Sequence, residues 1–87
     1  SSMLFAENEA SLRKQWHGKK IVEAPLEVWI VLYTSRDRDI DGSLKPVLDV
    51  LQHADVIKND SQIYKLDIEK VKCKTGEDRL ELELMGF

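Results

Sequence analysis

The sequence predicts a single α+β domain over residues 1–87, with two helices packed on a small sheet in the order α-β-α-β-β. Three observations carry this. Apolar residues recur at helical spacing from Ile40 through Leu44, Val47 and Leu48 to Leu51. The run Val28 to Tyr33 is apolar, β-branched and aromatic, the makeup of an interior strand. Towards the C-terminus, Tyr64, Leu66 and Ile68, and then Leu80, Leu82 and Leu84, alternate with charged residues. With 87 residues, 43% hydrophobic and 33% charged, the chain has the balance of a globular domain with one thin core.

Leu4 to Lys20 is rich in Ala, Glu, Leu, Arg and Lys, and runs from acidic to basic before Gly18. It reads as a surface helix with a glycine stop. Pro25 then opens the strand Leu26–Thr34, apolar on both faces. The polar stretch Ser35–Asp39 leads into the second helix. Pro46 is compatible with that helix if it begins near Asp41 to Ser43, leaving the ring within about the first turn. After Lys58-Asn59-Asp60 the chain enters a strand from Gln62 to Lys72. Thr75-Gly76-Glu77-Asp78 reads as a turn, so the last two strands are expected to form a C-terminal β-hairpin with one wet face.

Thirteen Lys and Arg against sixteen Asp and Glu give a net charge of −3, which argues against a strongly basic, non-specific nucleic-acid binder. Cys73 is the single cysteine and cannot form an internal disulfide, which suggests a reducing compartment. The apolar run Val28–Tyr33 falls far short of the ~20 residues that span a bilayer. No phosphate-binding glycine loop, dinucleotide fingerprint or C-x-x-C occurs.

The densest chemistry lies in Arg36-Asp37-Arg38-Asp39-Ile40-Asp41-Gly42-Ser43-Leu44-Lys45. Alternate aspartates followed by glycine invite an EF-hand reading, but the bidentate Glu that loop needs at its end is replaced by Leu48, and a strand precedes the loop. Aspartates before a helix also cap its free N–H groups, each for ~0.3–1 kcal/mol, and Asp41 with Lys45 can be a simple surface pair. Three acids exceed what one helix start needs, and crowding like charges calls for a counter-cation. If the strand after Asp60 neighbours Leu26–Thr34, Asp60 joins Asp39 and Asp41. Oxygen ligands from two loops around an open position suit Mg²⁺, with Lys45 one turn beyond Asp41 to meet phosphate charge. These are the minimal parts of metal-assisted phosphodiester hydrolysis.

The run Asp39 to Leu51, followed by Asn59-Asp60-Ser61-Gln62-Ile63, resembles the RusA family of Holliday-junction resolvases. The family pattern is D-x-D-N, a lysine four residues after the second Asp, and D-D-x-Q-[IV] some nineteen residues on; Lys45 and the nineteen-residue interval from Asp41 to Asp60 match it. The resemblance implies a Mg²⁺-dependent homodimeric endonuclease, with Mn²⁺ as a possible substitute, that nicks opposing strands of a four-way DNA junction in recombination and repair. Asp39, Asp41 and Asp60 would bind the metal and act in catalysis with Lys45. A bacterial or phage-encoded, cytoplasmic protein is implied as well. Two departures stand out. Gly42 replaces the family Asn, and the strand and Pro/Asn-containing loop that usually precede the first helix have no counterpart in this reading. The alternative is a branched-DNA-binding or dimerisation module that kept the fold and lost turnover.

Phosphate contacts would come from a positive rim of Arg13, Lys14, Lys19, Lys20, Arg36 and Arg38, or these are ordinary solvated charges. His53 reads as a surface side chain favoured by a helix end, and Cys73 as a structural or incidental thiol. Trp29 and Tyr33 share one strand face, for the core or a dimer contact. Lys70 lies on the Tyr64/Leu66/Ile68 face, where it either reaches a cleft or ends the strand.

Overall fold

The computed structural model describes residues 2–87. The elements are β1 (Ser2–Ala6), α1 (Glu9–Trp16), β2 (Leu26–Thr34), α2 (Ile40–His53), a 3-10 turn (Asp60–Gln62), β3 (Ile63–Lys72) and β4 (Arg79–Gly86). The order is therefore β-α-β-α-β-β, an α+β domain with one more strand than expected. The strand that the sequence reading left out is β1, antiparallel to β4 with Leu4 opposite Leu82. Leu4 and Ala6 point into the core while Met3 and Phe5 stay about half exposed, so both faces of this five-residue strand are apolar and no alternation announces it. The first helix consequently starts at Glu9 rather than Leu4. Asn8 caps it, accepting from Ser11 N–H at 2.9 Å while the Ser11 hydroxyl accepts from Asn8 N–H.

The sheet runs β1-β4-β2-β3, antiparallel between β1 and β4 and between β4 and β2, and parallel between β2 and β3. The expected C-terminal hairpin does not form: β2 lies between β3 and β4. Cys73–Asp78 arches over the end of β2, with Cys73 N–H donating to Thr34 O at 3.0 Å and Ser35 N–H to Asp78 Oδ2 at 3.1 Å. Six residues readily cover two strand spacings of about 4.8 Å. Gly76, at φ +90°, supplies the left-handed position in this loop. Alternation sets which face a residue occupies but not which strand it pairs with. The central place went to β2, the strand with the longest apolar run.

Both helices cover one face of the sheet. Leu12 and Trp16 from α1, Val47 and Leu51 from α2, and Val56 and Ile57 beyond it pack on Leu26, Val28, Ile30, Leu80, Leu82 and Leu84. The inward stripe of α2 is Ser43, Val47 and Leu51; Ile40, expected on that stripe, is exposed. The helix begins at Ile40, so Pro46 sits in its second turn and cannot return an N–H to the Gly42 carbonyl. The opposite face of the sheet is open. Its cross-strand rows set Met3, Glu83, Trp29 and Asp67 side by side, then Phe5, Glu81, Val31 and Glu69. Trp29 is 50% exposed, so it is not a core residue.

Candidate active site

The β2–α2 crossover carries the aspartate cluster. Asp39 is the N-cap residue of α2, with extended backbone at φ −73° and ψ 143°, yet its carboxylate makes no capping bond. The buried Ser43 instead holds the Asp39 carbonyl, through its N–H at 3.1 Å and its hydroxyl at 2.9 Å. Asp41, two residues on, accepts from Gly42 N–H at 2.9 Å. Both carboxylates are exposed, and among the described residues no cation pairs with either. A Cβ at Gly42 would meet only Asp39 Cβ, at 4.0 Å, so the position has room for the family Asn.

Lys45 lies one turn beyond Asp41 and bonds Asp49 at 2.9 Å. That hydrogen bond and the Asp49 charge raise the Lys45 ammonium above its ordinary value, and the Asp60 carboxylate adds to the effect. Lys45 is thus firmly cationic and lies within the field of Asp60. Asp60 is half-buried at the start of the 3-10 turn, its N–H donating to Gln52 Oε1 of α2 at 2.7 Å. The neighbouring motif residues have structural duties. Asn59 caps the turn by accepting from Ser61 N–H at 2.8 Å. Gln62 accepts from the N–H groups of Lys58 and Asn59 at 2.8 Å and donates to Val22 O at 2.9 Å and Ala24 O at 3.0 Å. It ties the turn to the entry of β2.

The strands β2 and β3 are neighbours, as the metal reading requires, but they are parallel. Asp39 and Asp41 therefore follow the C-terminal end of β2 while Asp60 precedes the N-terminal end of β3. From Asp41 to Gln52, the partner of Asp60, is eleven residues of α2, about 16 Å of helix. Among the described residues no three His, Cys, Asp or Glu side chains stand together as a metal site. Their donor type suits a hard cation, but the residues of a single copy do not fit an ion held by Asp39, Asp41 and Asp60 together.

The basic residues divide. Arg36 and Arg38 are exposed and flank Asp37, which pairs with Lys72 at 3.4 Å. Arg13 is engaged between the helices, with Glu9 at 3.4 Å, Asp55 at 3.8 Å and the His53 carbonyl. His53 faces Glu9 at 3.4 Å and stays a surface residue. Lys14 borders a shallow depression with Arg13 and His17, Lys19 lies over the Trp16 ring at 4.9 Å, and Lys20 is exposed. Cys73 is a free thiol pushed up by burial and by Asp78 beside it. A cavity of about 320 Å³, which no sequence signal marks, opens next to the crossover between Arg38, Pro46, Val47, Leu32, Leu80 and Asp78.

Two helices thus cover one face of a mixed four-stranded sheet, and the acidic β2–α2 crossover opens onto α2. The chain matches the family described as Endodeoxyribonuclease RusA over residues 4–85, and it belongs to that family. A curated relative, the crossover junction endodeoxyribonuclease RusA of Aquifex aeolicus (strain VF5), is 35% identical over 77 residues, 87% of this chain and 60% of the relative. The chain thus spans about three fifths of the length of that relative.

Proposed function

We propose that this chain is a divalent-metal-dependent endonuclease that resolves four-way DNA junctions by paired nicking, in DNA recombination and repair. The observation that carries the reading is the β2–α2 crossover. It presents two unpaired carboxylates, Asp39 and Asp41, at a helix start, with Lys45 one turn away, in a member of the RusA family. Mg²⁺, or Mn²⁺ in its place, is the cofactor this family implies, and oxygen ligands suit either ion. Lys45 would place positive charge against a phosphoryl oxygen, and Asp49 keeps its ammonium protonated. Arg36 and Arg38 would hold the phosphates on either side.

Because one copy does not gather the three aspartates, the reading requires a second copy. A homodimer offers Asp39 and Asp41 from one chain and Asp60 from its partner. No helix among the described residues is long and apolar enough to cross a membrane. Membership of the RusA family supports a cytoplasmic location, with the DNA substrate.

The test is a labelled four-way junction and a linear duplex incubated with wild type, with Asp41→Asn, with Asp60→Asn, and with the two variants mixed. Shared sites predict that each variant is inactive and that the mixture regains nicking, because each heterodimer holds one intact site. Activity retained in Asp41→Asn refutes the reading. A mixture that stays inactive while wild type cuts places each site within one chain. The second reading, a junction-binding module without turnover, is favoured by the lack of a three-acid group among the described residues of one copy. It predicts a retarded, uncut junction with wild type as well.

A further inference from the structure

The inward face of β3 changes character along its length. Leu66 and Ile68 pack towards the core, but the next two residues on that face are Lys70 and Lys72, opposite Leu32 and Thr34 of β2. Aliphatic residues there would extend the core; lysines instead meet the crossover loop that folds over the sheet end. Lys70 Nζ donates to the Arg38 carbonyl, and Lys72 Nζ lies 3.4 Å from Asp37 Oδ1. Both partners belong to the segment that delivers Asp39. That segment is also held at its start by the Thr34 hydroxyl, which accepts from Arg36 N–H at 3.2 Å, and at its end by Ser43 on the Asp39 carbonyl.

We infer that Lys70, assisted by Lys72, is a positioning residue that fixes the Arg36–Asp39 segment and so sets where the Asp39 and Asp41 carboxylates point. The inference that this matters for cleavage rests on the endonuclease reading; the clamp itself does not. The loop holds Asp37, Asp39 and Asp41 within five residues, and their mutual repulsion favours an open, splayed conformation. Two ammonium groups on β3 counter it from beneath. Lys70 holds a main-chain carbonyl, so its action does not depend on which carboxylates are ionised. A donor on a longer, forked side chain still reaches that carbonyl, whereas a neutral chain of similar length does not.

The experiment uses Lys70→Met, Lys70→Arg and Lys72→Met in the full chain, with two readouts. The first is limited trypsin digestion without metal or DNA, following cuts after Arg36 and Arg38 against the cut after Lys74 in the β3–β4 loop. Lys70→Met should speed the Arg36 and Arg38 cuts about five- to tenfold while the Lys74 cut keeps its rate, Lys72→Met should do so less, and Lys70→Arg should stay near wild type. The second is junction cleavage. For Lys70→Met, kcat should fall about 10–100-fold with junction Kd changed less than about threefold, and Lys70→Arg should recover most of the loss. Unchanged trypsin rates at Arg36 and Arg38 overturn the clamp. Equal acceleration of all three cuts overturns it too, since Lys70 then supports the whole fold. A loss confined to Kd would make Lys70 a DNA contact instead. If wild type does not cut junctions, the endonuclease reading fails, and the trypsin readout still decides the clamp.

Discussion

Replacing Asp39 with alanine separates a metal ligand from a helix cap. Were Asp39 a working N-cap, its loss would cost about 1 kcal/mol, or roughly 4–8 °C in melting temperature for a domain of this size. The structure argues otherwise, because its carboxylate makes no capping bond and Ser43 secures its carbonyl. Two electrostatic terms remain. Losing a negative charge at the helix N-terminus costs about 0.3–1 kcal/mol. Relief of repulsion from the nearby Asp37 and Asp41 carboxylates acts in the opposite direction. The two terms oppose each other, so in EDTA the variant should melt within about 3 °C of wild type. Metal shows the difference. At ten times its Kd a bound ion adds RT ln 11, about 1.4 kcal/mol, and should raise the wild-type melting temperature by about 6–11 °C. Thermal denaturation followed by circular dichroism, with Mg²⁺ or EDTA, measures both. A variant that loses about 4–8 °C in EDTA and gains as much from Mg²⁺ as wild type would make Asp39 a cap and refute the ligand reading.

Leu51, fully buried on the inner face of α2, should cost about 3 kcal/mol as Leu51→Ala, lowering the melting temperature by about 12–24 °C in a thermal scan. Asp78 carries a carboxyl held below its usual value by the hydrogen bonds from Ser35, so the charged form favours the fold. That contribution is present at neutral pH and lost as pH falls through the depressed folded value. The melting-temperature gap between wild type and Asp78→Asn should therefore exist at pH 7 and shrink only below the ordinary carboxylate range.

How much of the fold is legible depends on which periodicity a segment carries. Leu26–Thr34 and Ile40–His53 announce themselves, one by an unbroken apolar run and the other by helical spacing. Ser2–Ala6 does not, because Met3 and Phe5 on its open face are as apolar as Leu4 and Ala6 on its buried one. Its stability comes from pairing with β4, which is nearly eighty residues away in sequence. The hairpin expectation fails for a related reason. Short loops between alternating strands favour direct pairing, but here β3 and β4 each pair with an edge of β2 instead. At the site, the spacing of Asp39, Asp41, Lys45 and Asp60 is legible; the direction of β3 is not, and that direction puts Asp60 at the far end of α2. Gln62 and Lys70 act through main-chain groups of distant segments, and such contacts leave no pattern in sequence.

The net charge of −3 reads as an objection to a DNA substrate only while charge is averaged over the surface. Cross-strand register places Glu27, Asp67, Glu69, Glu81 and Glu83 on the open sheet face with Lys65 and Arg79. That face takes five of the sixteen carboxylates and two of the thirteen cations, so the rest of the molecule carries eleven of each. The entire excess of negative charge thus lies on the open sheet face, and a DNA substrate would be steered to the helix and crossover side. The balance there depends on the aspartates themselves. With Asp39, Asp41 and Asp60 neutralised by cations, eight carboxylates face eleven basic groups, and the surface becomes attractive to phosphate. Junction binding should therefore tighten when metal is added and weaken as salt rises. Junction binding that loosened on addition of metal would contradict this assignment of charge to the two faces.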